Sequence, residues 1–181
     1  CKYISIPCEE LKNQNNVFDV DVTKLIINVN NSGITGKQLG DILRYKYNIE
    51  VEMDSLKYVL GITTICDDYK ELERLAEALK EIDKSLEEKQ NENISVELLK
   101  NKRMYSIYET DLKEKNTVNL FDSKDCISGE FVFLYPPGIP LVVPGEVITE
   151  ELLEQIKVYL EANMNISGLK DNSNKTIEVV K

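Results

Sequence analysis

The sequence predicts an α+β protein: a small α/β sandwich followed by a second α+β unit. Three observations carry that expectation. Between residues 24 and 82, short β-rich runs and amphipathic stretches follow one another in the order β-α-β-β-α. A polar, charged tract from Lys84 to Asn93 then breaks the pattern, which sets units at 1–90 and 91–181. Beyond it, short strands and one amphipathic helix surround a proline-dense segment.

The first unit opens with Tyr3, Ile4 and Ile6 ahead of Pro7, expected as a short strand, and a polar turn over Asn13 to Asn16. Residues 24–30 are β-rich and end at the turn Asn31-Ser32-Gly33. Thr35 with Gln38 three residues on is a capping-box signature. Leu39, Ile42, Leu43 and Tyr47 recur at helical spacing, so a helix is expected over about 36–47, ended by Asn48. In 49–53, Ile49, Val51 and Met53 alternate with Glu50 and Glu52, the pattern of a half-buried strand. Residues 57–65 predict a second, more apolar strand. Asp67 or Asp68 then caps a helix whose stripe is Leu72, Leu75, Ala76, Leu79 and Ile82.

In the second unit, 95–102 reads as a helix or a loop, and Tyr105–Tyr108 and Thr117–Phe121 as short strands. Asp122 to Asp125 marks a turn, and 129–135 a strand. That strand leads into the most distinctive segment, 134–147, which holds four of the five prolines (Pro136, Pro137, Pro140, Pro144). Each proline fixes φ and removes a backbone donor, so no helix or central strand can run through it. Gly138 and Gly145 permit dihedrals that other residues resist. Thr149 caps a helix with Glu150 and Glu151 in its first turn, favourable against the helix dipole, and a stripe of Leu152, Leu153, Ile156, Tyr159 and Leu160. Gly168 follows it, and 176–180 is a closing strand.

Composition narrows the chemistry. A net charge of −10 argues against nucleic acid and anionic membrane as partners. No run has the length of a transmembrane helix, and no signal peptide opens the chain. Four cysteines without framework spacing fit reduced thiols in a cytoplasmic protein. Histidine is absent, which removes Ser-His-Asp and Cys-His devices, His-ligated zinc and an imidazole base, and no metal site is expected. A chain opening at Cys1 is expected to be a fragment or a processed product.

Several segments then become specific in their order: Lys-Leu-Ile-Ile-Asn-Val at 24–29, Gly-Ile-Thr-Gly at 33–36, Tyr-Asn-Ile-Glu-Val-Glu at 47–52, Tyr-Val-Leu-Gly-Ile-Thr at 58–63, and Tyr-Pro-Pro-Gly-Ile-Pro-Leu-Val-Val-Pro-Gly-Glu-Val-Ile-Thr-Glu-Glu at 135–151. Together they resemble the C-terminal part of the bacterial ornithine/lysine/arginine decarboxylases, from about Phe18 to the end. The resemblance implies an aminotransferase-type small domain in 1–90 and the decarboxylase C-terminal domain in 91–181. It implies a parent enzyme using pyridoxal phosphate, with the aspartate-aminotransferase fold, acting on lysine, arginine or ornithine. Such a cofactor acts as an electron sink for the carbanion left by loss of carbon dioxide. In that family the imine-forming lysine follows a histidine in the large domain. This chain has no histidine, so the large cofactor-binding domain is missing from it. No catalytic residue and no bound cofactor are therefore expected in the chain alone, which is expected to be inactive. The parent is expected to be a homodimer or a higher homo-oligomer.

Two residues carry over as substrate contacts. Glu52 matches the family's glutamate that meets the distal cation of the substrate, through a charge-assisted pair. It reads equally as the solvent side of an alternating strand, and Glu50 on the same face is the fallback. Tyr135 matches the tyrosine that opens the proline motif near the substrate entrance, and reads equally as a core aromatic whose hydroxyl reaches solvent. Glu146 reads as a helix-flanking residue before a ligand contact. The chain also departs from the family, where relatives commonly read Gly-Arg-Ile-Ser: Asp125-Cys126-Ile127-Ser128 lacks the glycine and the arginine. Asn101 to Glu109 is only weakly similar to the family's Pro-Arg-Glu-Ala-Phe segment. A non-catalytic regulatory module binding a basic amino acid or polyamine is the alternative, favoured by the negative charge and the Glu50/Glu52 pair.

Overall fold

In the first unit three antiparallel strands form one sheet, β1 (Lys24–Asn28), β2 (Met53–Asp54) and β3 (Tyr58–Ile62), in the order β1-β3-β2. Two helices, α1 (Gly36–Tyr47) and α2 (Tyr69–Ser85), complete the expected β-α-β-β-α order. The computed structural model describes residues 1–12, 14, 17–29, 32–87 and 99–181. Contacts between Cα atoms divide the chain into Cys1–Ile94 and Ser95–Lys181. The boundary expected at 90/91 lies outside the described residues, as do most of the turn at 13–16 and residues 95–98.

Alternation fixes which sheet face is buried. Ile27 of β1 pairs with Val59 of β3, and both are fully buried. They share one cluster with Leu39 and Leu43 of α1 and Ala78, Leu79 and Ile82 of α2, so both helices cover the same face. Burying each such side chain contributes about 1.5–3 kcal/mol. The capping box at α1 is present: Thr35 Oγ1 accepts from Gln38 N and Gln38 Oε1 from Thr35 N. Asn48 ends the helix in the left-handed conformation. Gly36 has a steric reason. A Cβ there would lie 2.2 Å from the Tyr58 carbonyl oxygen. The open N–H groups of Gly36 and Lys37 donate to the carbonyls of Leu56 and Ser55, docking the helix start on the β2–β3 turn.

Several expectations in this unit need correction. Among the described residues, 3–6 make one bridge, Ser5 to Asn28, and no strand. What holds them is Asp83, whose carboxylate accepts the N–H groups of Lys2, Tyr3 and Ile4. Of the strand expected over 49–53, only Met53 lies in a strand, the two-residue β2 that it forms with Asp54. The α2 stripe is buried only in its C-terminal half: Leu79 is 4% exposed, Leu72 40%. Asp68 supplies the α2 cap, with Glu71 completing a capping box.

The second unit holds two small sheets. β4 (Lys115–Asn119) pairs antiparallel with β8 (Thr176–Val180). β5 (Val132–Leu134) lies between β6 (Ile139–Val142) and β7 (Ile166–Ser167). Thr149 caps α4 (Glu150–Glu161), whose Leu152, Leu153, Ile156 and Tyr159 are buried. Tyr105–Tyr108 is not a strand. Ser106 caps the short helix α3 (Ile107–Asp111) through a capping box with Glu109, a sequence signal in plain view. The strand expected at 117–121 starts two residues earlier, and Leu120–Asp122 turns into a 3-10 helix. Residues 99–102 have no regular structure.

The proline segment is a hairpin. β5 and β6 pair across the turn Tyr135–Gly138, with a register shift between Val132 and Phe133. Pro140 sits inside β6, an edge strand, where a missing donor is tolerated. Gly138 and Gly145 both take positive φ (107° and 93°). Gly145 is also sterically required, since a Cβ would lie 2.3 Å from the Tyr105 carbonyl oxygen.

Candidate functional site

Glu52 stands between the cap of α1 and the start of β2, with its side chain exposed. Its backbone N–H donates to Leu60 O at 2.8 Å, which ties the position to the sheet although it lies outside the strand. The expected alternation survives in the burial: Ile49, Val51 and Met53 are half-buried, and Glu50 and Glu52 exposed. Among the described residues no cation pairs with Glu52. Glu50 differs. Arg44 Nε donates to both of its carboxylate oxygens at 2.9 Å, and Arg44 Nη2 also donates to Oε1. The Arg44 contact holds the Glu50 carboxyl below the usual range. The fallback residue is thus already neutralised within the chain. It lines a shallow groove of about 190 Å³ with Leu25, Val51, Asp67, Glu71 and Arg74.

Tyr135 opens the hairpin turn in the second unit. It is 54% exposed, so it is not a core aromatic. Its N–H donates to Asn165 O at 2.9 Å, and Gly138 N to Leu134 O at 2.9 Å, which close the turn from both sides. Glu146 does not flank α4 alone. Its carboxylate accepts from Val143 N at 3.1 Å and Asn101 Nδ2 at 3.3 Å, bracing the loop that follows the hairpin.

Sequence reasoning missed Glu130. It is buried, and its two oxygens accept Lys170 N at 2.9 Å and Glu178 N at 2.8 Å, joining the β5 entry to β8. The signal available was a lone acid between glycine and an apolar run. The segment that departs from the family is held by backbone contacts, Asp125 N donating to Ile148 O at 2.8 Å. Asp125 adopts φ 62°, a left-handed position where a glycine is the easier residue. Ile127 and Ser128 bridge to Val147 and Val179. Cys126 is a half-buried free thiol.

Two of the less exposed lysines among the described residues, Lys37 and Lys115, do not fit an imine-forming role. That role needs an amine whose pKa is depressed by burial or by a neighbouring cation. Both face carboxylates: Lys37 lies 2.6 Å from Asp41 and 3.6 Å from Asp54, and Lys115 lies 3.6 Å from Asp111. Burial would lower the Lys37 pKa, but these carboxylates leave it raised. Among the described residues no group of His, Cys, Asp and Glu is arranged to hold a metal ion. No helix of the described residues is long and apolar enough to cross a membrane.

Residues 87–172 match the sequence profile "Orn/Lys/Arg decarboxylase, C-terminal domain". The chain corresponds to the C-terminal part of the Orn/Lys/Arg decarboxylases. The arginine decarboxylase of Bacillus subtilis (strain 168) is 37% identical over 167 residues, 91% of this chain and 34% of that protein. The arginine decarboxylase of Bacillus anthracis is 31% identical over 183 residues, 99% of this chain and 37% of that protein. The chain thus spans about a third of the length of the curated relatives it matches. Among solved structures, the constitutive lysine decarboxylase of E. coli superposes with a TM-score of 0.70 at 16% identity, covering 94% of this chain and 33% of that one. The Francisella novicida lysine decarboxylase LdcF gives 0.69 at 18%, covering 94% and 32%. At such identities the lysine decarboxylases show the shared fold, α+β as expected.

Proposed function

We propose that this chain is the C-terminal portion of a pyridoxal-phosphate-dependent decarboxylase of a basic amino acid, with arginine the first candidate. The observation that carries the reading is the match to arginine decarboxylases along nearly the whole chain. The chain's own residues supply substrate contacts rather than chemistry. Glu52 would pair with the distal cation of the substrate, being exposed and without a cation partner among the described residues. Tyr135 would flank the entrance with a half-exposed ring on a closed turn. The cofactor, when bound, absorbs the electrons left by loss of carbon dioxide. It would be held by sequence outside this chain, which has no histidine to precede an imine-forming lysine and spans about a third of its relatives. The chain alone is then inactive, and the full-length protein a cytoplasmic homodimer or higher homo-oligomer that binds neither nucleic acid nor membrane.

The test is a decarboxylation assay of the full-length protein with pyridoxal phosphate against arginine, lysine and ornithine. Glu52→Gln should lower kcat/KM at least tenfold, mostly through KM, as expected for a lost charge-assisted pair worth about 1.5–3 kcal/mol. Wild-type activity with an unaffected Glu52→Gln variant would remove the residue from the site. Activity on none of the three substrates would refute the enzymatic reading. The regulatory-module alternative is weakened by Arg44, which occupies one of the two carboxylates it relied on. Micromolar binding of arginine or agmatine to the isolated chain would revive it.

A further inference from the structure

We infer that an apolar segment of the parent polypeptide, preceding Cys1, completes the open end of the first unit's core. The inference rests on the reading of this chain as the C-terminal portion of a longer protein. The 17 residues of α2 extend about 25 Å, while the five-residue strands β1 and β3 extend about 17 Å. Even aligned with the strands, the helix outruns them. Ala78, Leu79 and Ile82, in its C-terminal half, lie in the core cluster. Tyr69 and Leu72, in its N-terminal half, are exposed, as is Ile65 just before it. Beside Leu72 the groove of about 190 Å³ opens onto Leu25, Ile49, Val51 and Leu75, which pack against the core from its edge.

The charged rim of this groove is engaged locally. Asp67 accepts from Thr64 N at 2.6 Å, Glu71 from Asp68 N at 3.1 Å and Glu50 from Arg44, and Arg74 donates to the Tyr47 carbonyl at 3.2 Å. What stays open is apolar, so burial rather than charge recognises the occupant. Length and entry point give its source. The matched relatives continue for about two thirds of their length beyond the matched part. The preceding polypeptide would enter where Lys2, Tyr3 and Ile4 bond to Asp83. Along α2, Asp83 lies about 16 Å from Leu72 by the helix rise. About five extended residues span that distance. Ile4, ahead of β1, already places one apolar side chain in the same core. Separate chains need about 1,000 Å² of interface to associate stably. A segment of the same polypeptide needs less, because linkage supplies a high effective concentration.

The experiment compares iodoacetamide labelling of the 181-residue chain and of the full-length protein, read by peptide mass spectrometry. The labels are Leu72→Cys and Tyr69→Cys on the open stripe, and Lys80→Cys at an exposed position farther along α2. The first two should react about tenfold or more slowly in the full-length protein than in the chain, and Lys80→Cys within about twofold in both. Unchanged rates at both stripe positions overturn the inference. Slowing that is lost on dilution, or a rate in the chain that falls as its concentration rises, identifies a second copy as the occupant and overturns it too. A full-length protein inactive on arginine, lysine and ornithine but protected at Leu72→Cys removes the decarboxylase reading and supports the inference. An active protein unprotected there removes the inference alone.

Discussion

Asp83 offers a stability test whose size follows from its contacts. Its carboxylate accepts the N–H groups of Lys2, Tyr3 and Ile4 at 2.6, 2.7 and 2.8 Å. Only the Ile4 donor is fully buried, and Ile4 itself belongs to the core cluster. A hydrogen bond to a charged acceptor contributes about 1.5–3 kcal/mol, and an orphaned buried donor costs about 1–3 kcal/mol. Water would replace the two partly buried bonds, so Asp83→Ala should cost about 2–4 kcal/mol. Asp83→Asn keeps one acceptor oxygen for Tyr3 and Ile4 but turns an amino group toward Lys2 N, and should cost about 1–2 kcal/mol. Burial would raise the Asp83 pKa, yet the three N–H donors leave it lowered. A carboxylate lowered on folding stabilises fully above its unfolded value of about 3.9 and loses that contribution as pH falls through the folded value. The gap between wild type and Asp83→Asn should therefore be constant near pH 7 and shrink below about pH 4. Urea unfolding followed by circular dichroism, repeated from pH 7 to pH 3, measures it. A gap under about 0.5 kcal/mol at pH 7, or one that does not shrink in acid, refutes the reasoning.

Three further outcomes follow from the same structure. Gly145→Ala forces a Cβ to within 2.3 Å of the Tyr105 carbonyl oxygen at positive φ, and should destabilise the second unit by more than about 2 kcal/mol in chemical denaturation. Leu79→Ala should cost about 2–5 kcal/mol while Leu72→Ala, on the exposed half of the same helix, costs under about 1 kcal/mol; equal losses would contradict the burial of α2. Ser106→Ala removes the cap of α3 and should cost about 1 kcal/mol, with faster amide exchange at Glu109, whose N–H that hydroxyl accepts.

Helices were the most legible elements, because their ends are written locally. Thr35 with Gln38, Asp68 with Glu71, and Thr149 each stand where the chain enters a helix, and each bonds the N–H three residues on. The same signal stands at Ser106 and Glu109, in a stretch expected as a strand, and there the cap decides the outcome. Strand lengths were less legible. Residues 49–52 alternate as a strand would, yet a strand exists only where a partner pairs with it, and pairing with β3 begins at Met53. The candidate site divides the same way. Glu52 and Tyr135 come from local motifs, and both prove exposed.

What the sequence by itself determined is what depends on neighbours along the chain: capped helices, the exclusion of helix and central strand from the proline segment, the glycines at Gly138 and Gly145, and the absence of imidazole chemistry. Only the tertiary structure decided which half of α2 is buried, that Asp83 anchors the first residues, that Glu130 joins β5 to β8, and that Arg44 neutralises Glu50. Each of these depends on groups meeting across a turn, a cap or a sheet, from 6 residues apart for Arg44 and Glu50 to 81 for Asp83 and Lys2. Residue type and local periodicity state what a side chain is able to pair with. Packing alone selects the partner, because burial removes the water that would otherwise satisfy it.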